Sequence, residues 1–243
     1  NRFFYVNPLE ADGKYPFNHG TAGRAPWFGT ACCPSNMARL LPQVQGMTYA
    51  HNEENLYFAM YADTSTNLNI ADTDLSIKQT TDYPNDGKVM ISLDPEKPTT
   101  FTAHLRIPTW TGDQFVPGKL YKYVNQSNED WSISVNGVKT KANVEKGFAT
   151  IKRTWKKGDQ IVLDLPMPLQ INQCDNRVEE NQNRLAFTRG PFVLCAEEVD
   201  NEGATQRFFL NKKKVAKEFK LASVTLPSGS FSQVKTKANA VDA

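Results

Sequence analysis

The stretch Phe101-Thr102-Ala103-His104-Leu105-Arg106-Ile107 alternates apolar and polar side chains at every position, the period of a strand with one buried and one wet face. The same period surrounds it. Upstream, Leu75, Ile77 and Gln79 share one side of their segment, as do Val89, Ile91 and Leu93. Downstream, Trp131, Ile133 and Val135 run into Asn136-Gly137, a dipeptide suited to a two-residue hairpin turn because both residues accept positive φ. Lys146-Gly147 and Lys157-Gly158-Asp159 bracket a strand from Phe148 to Trp155, and Ile161, Leu163 and Leu165 carry the alternation to Pro166. Strands spaced this closely by Gly, Pro and Asn turns predict a mainly β protein, an antiparallel β-sandwich rather than βαβ units.

One segment breaks the pattern. Between Ser35 and Gly46, Met37, Leu40, Leu41 and Val44 recur at the spacing of one apolar helical face, and Pro42 kinks the helix or ends it near Leu41. Pro166-Met167-Pro168 ends a strand and stiffens the connection, so a second β unit is expected to begin there. In that unit Leu185 to Val199 reads as two strands bent at Arg189-Gly190-Pro191. Lys212-Lys213-Lys214 reads as a solvated turn or strand end in preference to an anion site, and the Ser-, Lys- and Ala-rich tail from Ser228 as a weak edge strand or a frayed end. The residues alone thus divide the chain into a part before His51 with one helix, a β-sandwich at 51–168 and a second, incomplete β unit at 169–243.

With 28 basic and 26 acidic residues, a formal charge of +2 is too balanced for a nucleic acid or an anionic membrane surface as partner. No apolar run approaches the roughly 20 residues of a membrane span. Asn1 to Val6 lack the basic start, apolar middle and small-residue cleavage site of a signal peptide, so a compartment is not written in them. Four cysteines in 243 residues are too few for a disulfide scaffold. Cys174 and Cys195, in or beside apparent strands, are expected to be buried free thiols, with a Cys174–Cys195 bridge the alternative that nothing in the sequence supports.

The other two are adjacent, in Cys32-Cys33-Pro34-Ser35-Asn36. A helix starting near Pro34 or Ser35 would aim unsatisfied N–H groups and its positive dipole end at both sulfurs and favour the thiolate, which is both nucleophile and metal ligand. The alternatives are that two small apolar residues fill a turn, or that they oxidise to a vicinal disulfide and sense redox state.

These residues fit a known pattern. Tyr5-Val6-Asn7-Pro8-Leu9-Glu10, Trp27-Phe28-Gly29 and Cys32-Cys33-Pro34-Ser35-Asn36 with Arg39 resemble glycoside hydrolase family 127, the bacterial β-L-arabinofuranosidase type. So, in the same order, do Thr80-Thr81-Asp82-Tyr83-Pro84, Leu105-Arg106-Ile107-Pro108-Thr109-Trp110, Val135-Asn136-Gly137, Trp155-Lys156-Lys157-Gly158-Asp159 and Arg189-Gly190-Pro191. The resemblance implies a short helical remnant of an (α/α) barrel followed by β-sandwich domains, with residues 1–50 the end of the barrel. It implies that Cys32 is the nucleophile of a retaining glycosidase and that Cys32 and Cys33 bind zinc. The expected substrate is an arabinose-containing glycan, and the expected source is bacterial, periplasmic or cytoplasmic. In that family two further zinc ligands come from an upstream Glu-x-Cys motif and the acid/base from an upstream Glu. These 243 residues contain no Glu-x-Cys, so the missing N-terminal barrel segment is an expected partner and the chain alone is expected to turn over slowly if at all. The rival class is a carbohydrate-binding or homodimerising sandwich module with a vestigial cysteine pair, which exposed aromatics on one sheet face would favour.

The remaining candidates are weaker. Tyr5 lines the sugar pocket by the resemblance, or fills the core of an apolar strand by its neighbours. Glu10 and Asp12 are carboxylates near the cysteines, better suited to a surface loop than to a metal. His19, in Asn18-His19-Gly20, has no ligand spacing to Cys32; His51 is placed to complement the helix C-terminus, and His104 to bond across strands. Trp110, Trp131 and Trp155 form either a sugar-stacking platform or, as the alternation at Trp131 favours, core.

Overall fold

The computed structural model describes residues 2, 4–6, 13–29, 32–125, 127–197, 201, 208–211, 219–226, 229–235 and 239–240, with the backbone alone for 223–226, 229–232 and 239–240. Glu10, Asp12 and Lys212 to Lys214 lie outside the described residues. The chain forms two units, residues 1–47 and 48–243.

In the first unit, helix α1 (Cys32–Leu40) passes directly into a 3-10 segment, Leu41–Met47. The helix starts at Cys32 itself, earlier than Pro34 or Ser35, because a proline in the first turn lacks only an N–H that would be unpaired there anyway. It stops one residue before Leu41, since the Pro42 ring removes a donor and crowds the preceding turn. None of its residues is buried; Met37, Leu40 and Leu41 are exposed. Upstream, Phe4 packs on Phe17 with ring centroids 5.4 Å apart, and the Arg24 guanidinium lies 4.8 Å from the centre of the Phe4 ring.

The second unit is built of strands. They are β1 (Tyr49–His51), β2 (Asn55–Phe58), β3 (Thr64–Ile70), β4 (Thr73–Thr81), β5 (Lys88–Pro95), β6 (Thr99–Arg106), β7 (Tyr121–Tyr123), β8 (Ser132–Val135), β9 (Val138–Thr140), β10 (Asn143–Glu145), β11 (Phe148–Trp155) and β12 (Asp159–Asp164). Beyond Pro166 come β13 (Leu169–Cys174), β14 (Ala186–Arg189), β15 (Phe192–Leu194), β16 (Phe208–Phe209), β17 (Lys220–Leu226), β18 (Gly229–Lys235) and β19 (Asn239–Ala240). One sheet runs β1-β2-β6-β11-β10 and a second runs β3-β4-β5-β12-β8-β9. Their inner faces share one core, in which Leu56, Phe58, Phe101, Leu105 and Trp155 from the first meet Leu75, Ile77, Ile91, Leu93, Ile133 and Ile161 from the second. Alternation in the sequence is therefore burial in the structure: β4 and β6 each expose every second residue or leave it half-buried. The sandwich is antiparallel with one exception, for β2 pairs parallel to β6, Asn55 opposite Thr102 through Phe58 opposite Leu105. A third sheet, β15-β14-β13-β7, follows Pro168.

Turn chemistry fixes the registers. Asn136 and Gly137 have φ of 52° and 78° and join β8 to β9 with Val135 opposite Val138, the two-residue turn whose twist matches the strands. The Asn136 side chain ties this turn to the next hairpin, donating to Asp159 Oδ1 at 2.8 Å and accepting the Gln160 N–H at 2.8 Å. Gly190, at φ 53°, joins β14 to β15 with Arg189 opposite Phe192. Of the tail, Gly229–Lys235 forms β18, which pairs with β17.

Two placements differ from the expectations. Cys195, just after β15, is exposed on the same side as Val193, whereas Cys174 is buried, and neither is in a disulfide. His51 is the last residue of β1 and pairs with Leu56, so it belongs to a strand of the second unit. As the alternation at Trp131 favoured, Trp110 and Trp155 are buried and Trp131 packs against the core, which removes the stacking platform.

Gly87 shows how tightly the sandwich closes. It accepts the Leu165 N–H at 3.1 Å, and a Cβ at Gly87 would stand 1.8 Å from the Leu165 carbonyl oxygen. Because that obstacle is backbone, Gly87→Ala is expected to cost roughly 3 kcal/mol, lowering Tm by about 6–12 °C by scanning calorimetry; an unchanged Tm would contradict this packing.

Candidate active site

The cysteine pair sits at the N-terminus of α1, and both thiols are exposed and free. Their sulfurs lie 3.8 Å apart, far beyond the roughly 2.05 Å of a disulfide. A helix leaves its first N–H groups without intrahelical partners. Here the Cys33 N–H donates to the Tyr5 hydroxyl oxygen at 3.2 Å, while that hydroxyl lies 2.6 Å from Cys32 Sγ. A hydroxyl that accepts from the backbone has its own proton free for the sulfur, so one side chain both caps the helix and holds the thiol. Ser35 donates to the Cys32 carbonyl at 3.0 Å, closing the first turn.

The Tyr5 hydroxyl, and after it Cys33, hold the Cys32 thiol below its ordinary range. The reciprocal effect, Cys32 first and Cys33 second, pushes the Tyr5 phenol up to about 12. Tyr5 is thus a neutral donor to a sulfur biased toward thiolate.

Tyr5 is neither in a strand nor in a core. It lies in a bend, half-buried, with its ring centroid 4.3 Å from that of the exposed His19 and 5.0 Å, edge-on, from that of the buried Phe28. His19 therefore packs on the tyrosine. Sequence reasoning missed Asn18, whose side chain accepts the Tyr5 N–H at 2.7 Å. The available signal was the turn spelled by Asn18-His19-Gly20, an asparagine ahead of two residues of positive φ, 50° and 90°.

The donor set suits a soft divalent cation in part. Two thiolates on one tetrahedral zinc, each about 2.3 Å from the metal, are about 3.8 Å apart, the separation that Cys32 and Cys33 already have. Among the described residues no group of three or more His, Cys, Asp or Glu side chains stands together, so the pair offers two ligands of four.

Tyr5→Phe tests the thiolate bias. A lowered thiol pKa keeps sulfur ionised to lower pH, so loss of the hydroxyl moves the pH midpoint of Cys32 alkylation upward. At neutral pH the rate is expected to fall about threefold, loss of thiolate being partly offset by the greater nucleophilicity of a more basic sulfur. Peptide-mapped iodoacetamide kinetics on metal-free protein measure it, and a midpoint that stays or drops would refute the hydrogen bond's role.

The outer face of the first sheet gathers other candidate residues. His104 bonds across strands to Asn55 Oδ1 at 2.8 Å, as expected, and stacks on Tyr57 with centroids 4.1 Å apart and planes 11° from parallel. Phe148 meets Tyr57 edge-on at 5.5 Å, and the Arg106 guanidinium is 5.6 Å from the Phe148 ring centre. Burial, opposed by Glu145, holds the His104 imidazole below its usual range. Among the described residues no helix is long and apolar enough to cross a membrane.

Comparison with known proteins agrees with the architecture. Residues 55–167 match the middle domain of the GH127 beta-L-arabinofuranosidases, and residues 169–239 match the glycoside hydrolase family 127 C-terminal domain. A non-reducing end beta-L-arabinofuranosidase of Bifidobacterium longum subsp. longum is 29% identical over 209 residues, which are 83% of this chain and 29% of that protein. A solved GH127 beta-arabinofuranosidase superposes with a TM-score of 0.87 at 34% identity, over 98% of this chain and 36% of the other. A GH127 beta-L-arabinofuranosidase from Geobacillus stearothermophilus T6 does so with a TM-score of 0.83 at 30% identity, over 99% and 36%. The chain thus spans about a third of the length of these solved relatives. With both domain models and the superposed structures in accord, the chain belongs to glycoside hydrolase family 127.

Proposed function

We propose that this chain is the C-terminal part of a retaining glycosidase of the β-L-arabinofuranosidase type, with Cys32 as nucleophile and Cys32 and Cys33 as zinc ligands. The observation that carries the proposal is the thiol pair at a helix N-terminus with a tyrosine hydroxyl on one sulfur. The Cys32 thiolate attacks the anomeric carbon of an arabinose-containing glycan, forming a C–S bond while the glycosidic C–O bond breaks and the leaving oxygen takes a proton from a carboxylic acid across the sugar. Water, giving its proton to the same carboxylate, then displaces Cys32, so two inversions return the original anomer. Tyr5 serves the second step, since its hydroxyl donates to the sulfur as negative charge returns to it. Zinc, when bound, supplies a charge that keeps coordinated thiols ionised. The acid/base carboxyl and the other two metal ligands are assigned to the part of the relatives that this chain does not span, which leaves the chain alone inactive.

The test is an assay on an aryl β-L-arabinofuranoside, with this chain alone and with the chain fused behind the N-terminal part of a longer relative. Turnover and one bound zinc per molecule are expected only in the fusion. Robust zinc-dependent hydrolysis by the chain alone overturns the assignment of the missing groups.

A second reading is favoured by the Tyr57, His104 and Phe148 rings, half-exposed on one sheet face: a sandwich surface that stacks against sugar. Affinity electrophoresis in gels containing arabinose-rich glycan separates the two, as retardation abolished by Tyr57→Ala with Phe148→Ala supports a binding module and unretarded migration removes it.

A further inference from the structure

We propose that Asn18 is a positioning residue that holds the Tyr5 hydroxyl on Cys32, an inference that rests on the reading of Cys32 as the reacting thiol. Asn18 has no accessible surface, although His19 and Gly20 beside it are exposed. A buried carboxamide is costly unless its acceptor and donor are both satisfied, and here they are. Its Oδ1 accepts the Tyr5 N–H at 2.7 Å and its Nδ2 donates to the Gly23 carbonyl at 2.8 Å. Its own backbone closes the turn, with N–H to Thr21 oxygen at 2.9 Å and the Thr21 N–H to its carbonyl at 3.2 Å.

A mere turn role would not need this arrangement. Asparagines that shape turns bond to main-chain groups two residues away, whereas this side chain reaches back thirteen residues to Tyr5. The backbone bonds to Thr21 and the positive φ of His19 and Gly20 already make the turn. The carboxamide instead fixes the main chain of Tyr5 to it, and His19, the next residue, lays its ring against the tyrosine ring. Main chain and ring of Tyr5 are thus both anchored by one turn, and the hydroxyl at the ring's end meets Cys32 Sγ at 2.6 Å. Hydrogen bonds weaken steeply as distance and angle drift, so loss of the anchor is transmitted to the sulfur.

The test is a double-mutant cycle on this chain, read as the rate of alkylation of Cys32 relative to Cys195, an exposed thiol of the other unit, by peptide mapping at fixed pH in the presence of chelator. Asn18→Ala is expected to lower that ratio about threefold, as Tyr5→Phe does, and the double variant no further than either single one. The proposal is overturned if Asn18→Ala leaves the ratio unchanged while Tyr5→Phe lowers it, or if the two effects multiply. Should near-UV circular dichroism show Asn18→Ala to be unfolded, Asn18→Ser carries the cycle by the same criteria: a ratio as low as that of Tyr5→Phe, fallen no further in the double variant, supports the proposal, and an unchanged ratio overturns it. Thiol chemistry, not turnover, is measured, so this outcome stays separate from whether Cys32 is glycosylated during catalysis.

Discussion

Cys32→Ala is expected to lower kcat by roughly 10⁴-fold or more when the chain is fused behind the N-terminal part of a longer relative and assayed on an aryl β-L-arabinofuranoside. The size follows from the role proposed for the sulfur. The methyl side chain of alanine can form no bond to the anomeric carbon, so the two-step path is lost rather than slowed. KM should change far less, because the thiol contributes to bond making and little to holding the sugar. Cys33→Ala should act differently, halving the thiolate pair that suits a tetrahedral cation and reducing bound zinc before it touches the nucleophile. Measuring kcat and metal content for both variants checks this. A Cys32→Ala fusion that keeps more than a tenth of the parental rate would assign the nucleophile elsewhere.

Trp155→Ala is the largest stability change expected in the sandwich, about 3–5 kcal/mol. Trp155 closes β11, has no accessible surface, and donates its indole N–H to the Phe101 carbonyl at 3.1 Å. Its ring stacks on that of Phe101 with centroids 5.7 Å apart. Truncation leaves a cavity between the two sheets, removes a stacked pair and strands a buried carbonyl. Urea unfolding should show the midpoint moving strongly to lower concentration at nearly constant slope. A shift worth less than about 1 kcal/mol would mean that the core collapses around the gap.

The β pattern was legible because burial on one face imposes a period of two, and Val89, Ile91, Leu93, Ile161 and Leu163 are all fully buried where that period put them. Asn136-Gly137 was legible because few dipeptides tolerate two positive φ angles. The parallel pairing of β2 with β6 was not, since no local feature of Asn55 to Phe58 says which strand lies beside it; that choice is made by the whole sheet. Strand β7 escaped notice because its three residues pair with β13 across about fifty positions. The site divides the same way. The thiols announced themselves by adjacency, and their exposure agrees with a reactive role. The link from Tyr5 to Cys32 spans 27 residues and the seat of Tyr5 on Asn18 has no periodic signature, so neither could be seen without the folded backbone.

The strand order of the first sheet has a consequence for synthesis. Strand β2 is complete at Phe58, yet between β1 and β6 it must wait for Thr99–Arg106, and β6 in turn for Phe148–Trp155. As the polypeptide leaves the ribosome, Leu56 and Phe58 therefore remain without their partner strand while nearly fifty further residues are made, and β6 without β11 for nearly fifty more. Such distant pairing slows folding and prolongs the exposure of sticky segments, so nascent chains halted before β11 are the ones that should recruit chaperones or aggregate.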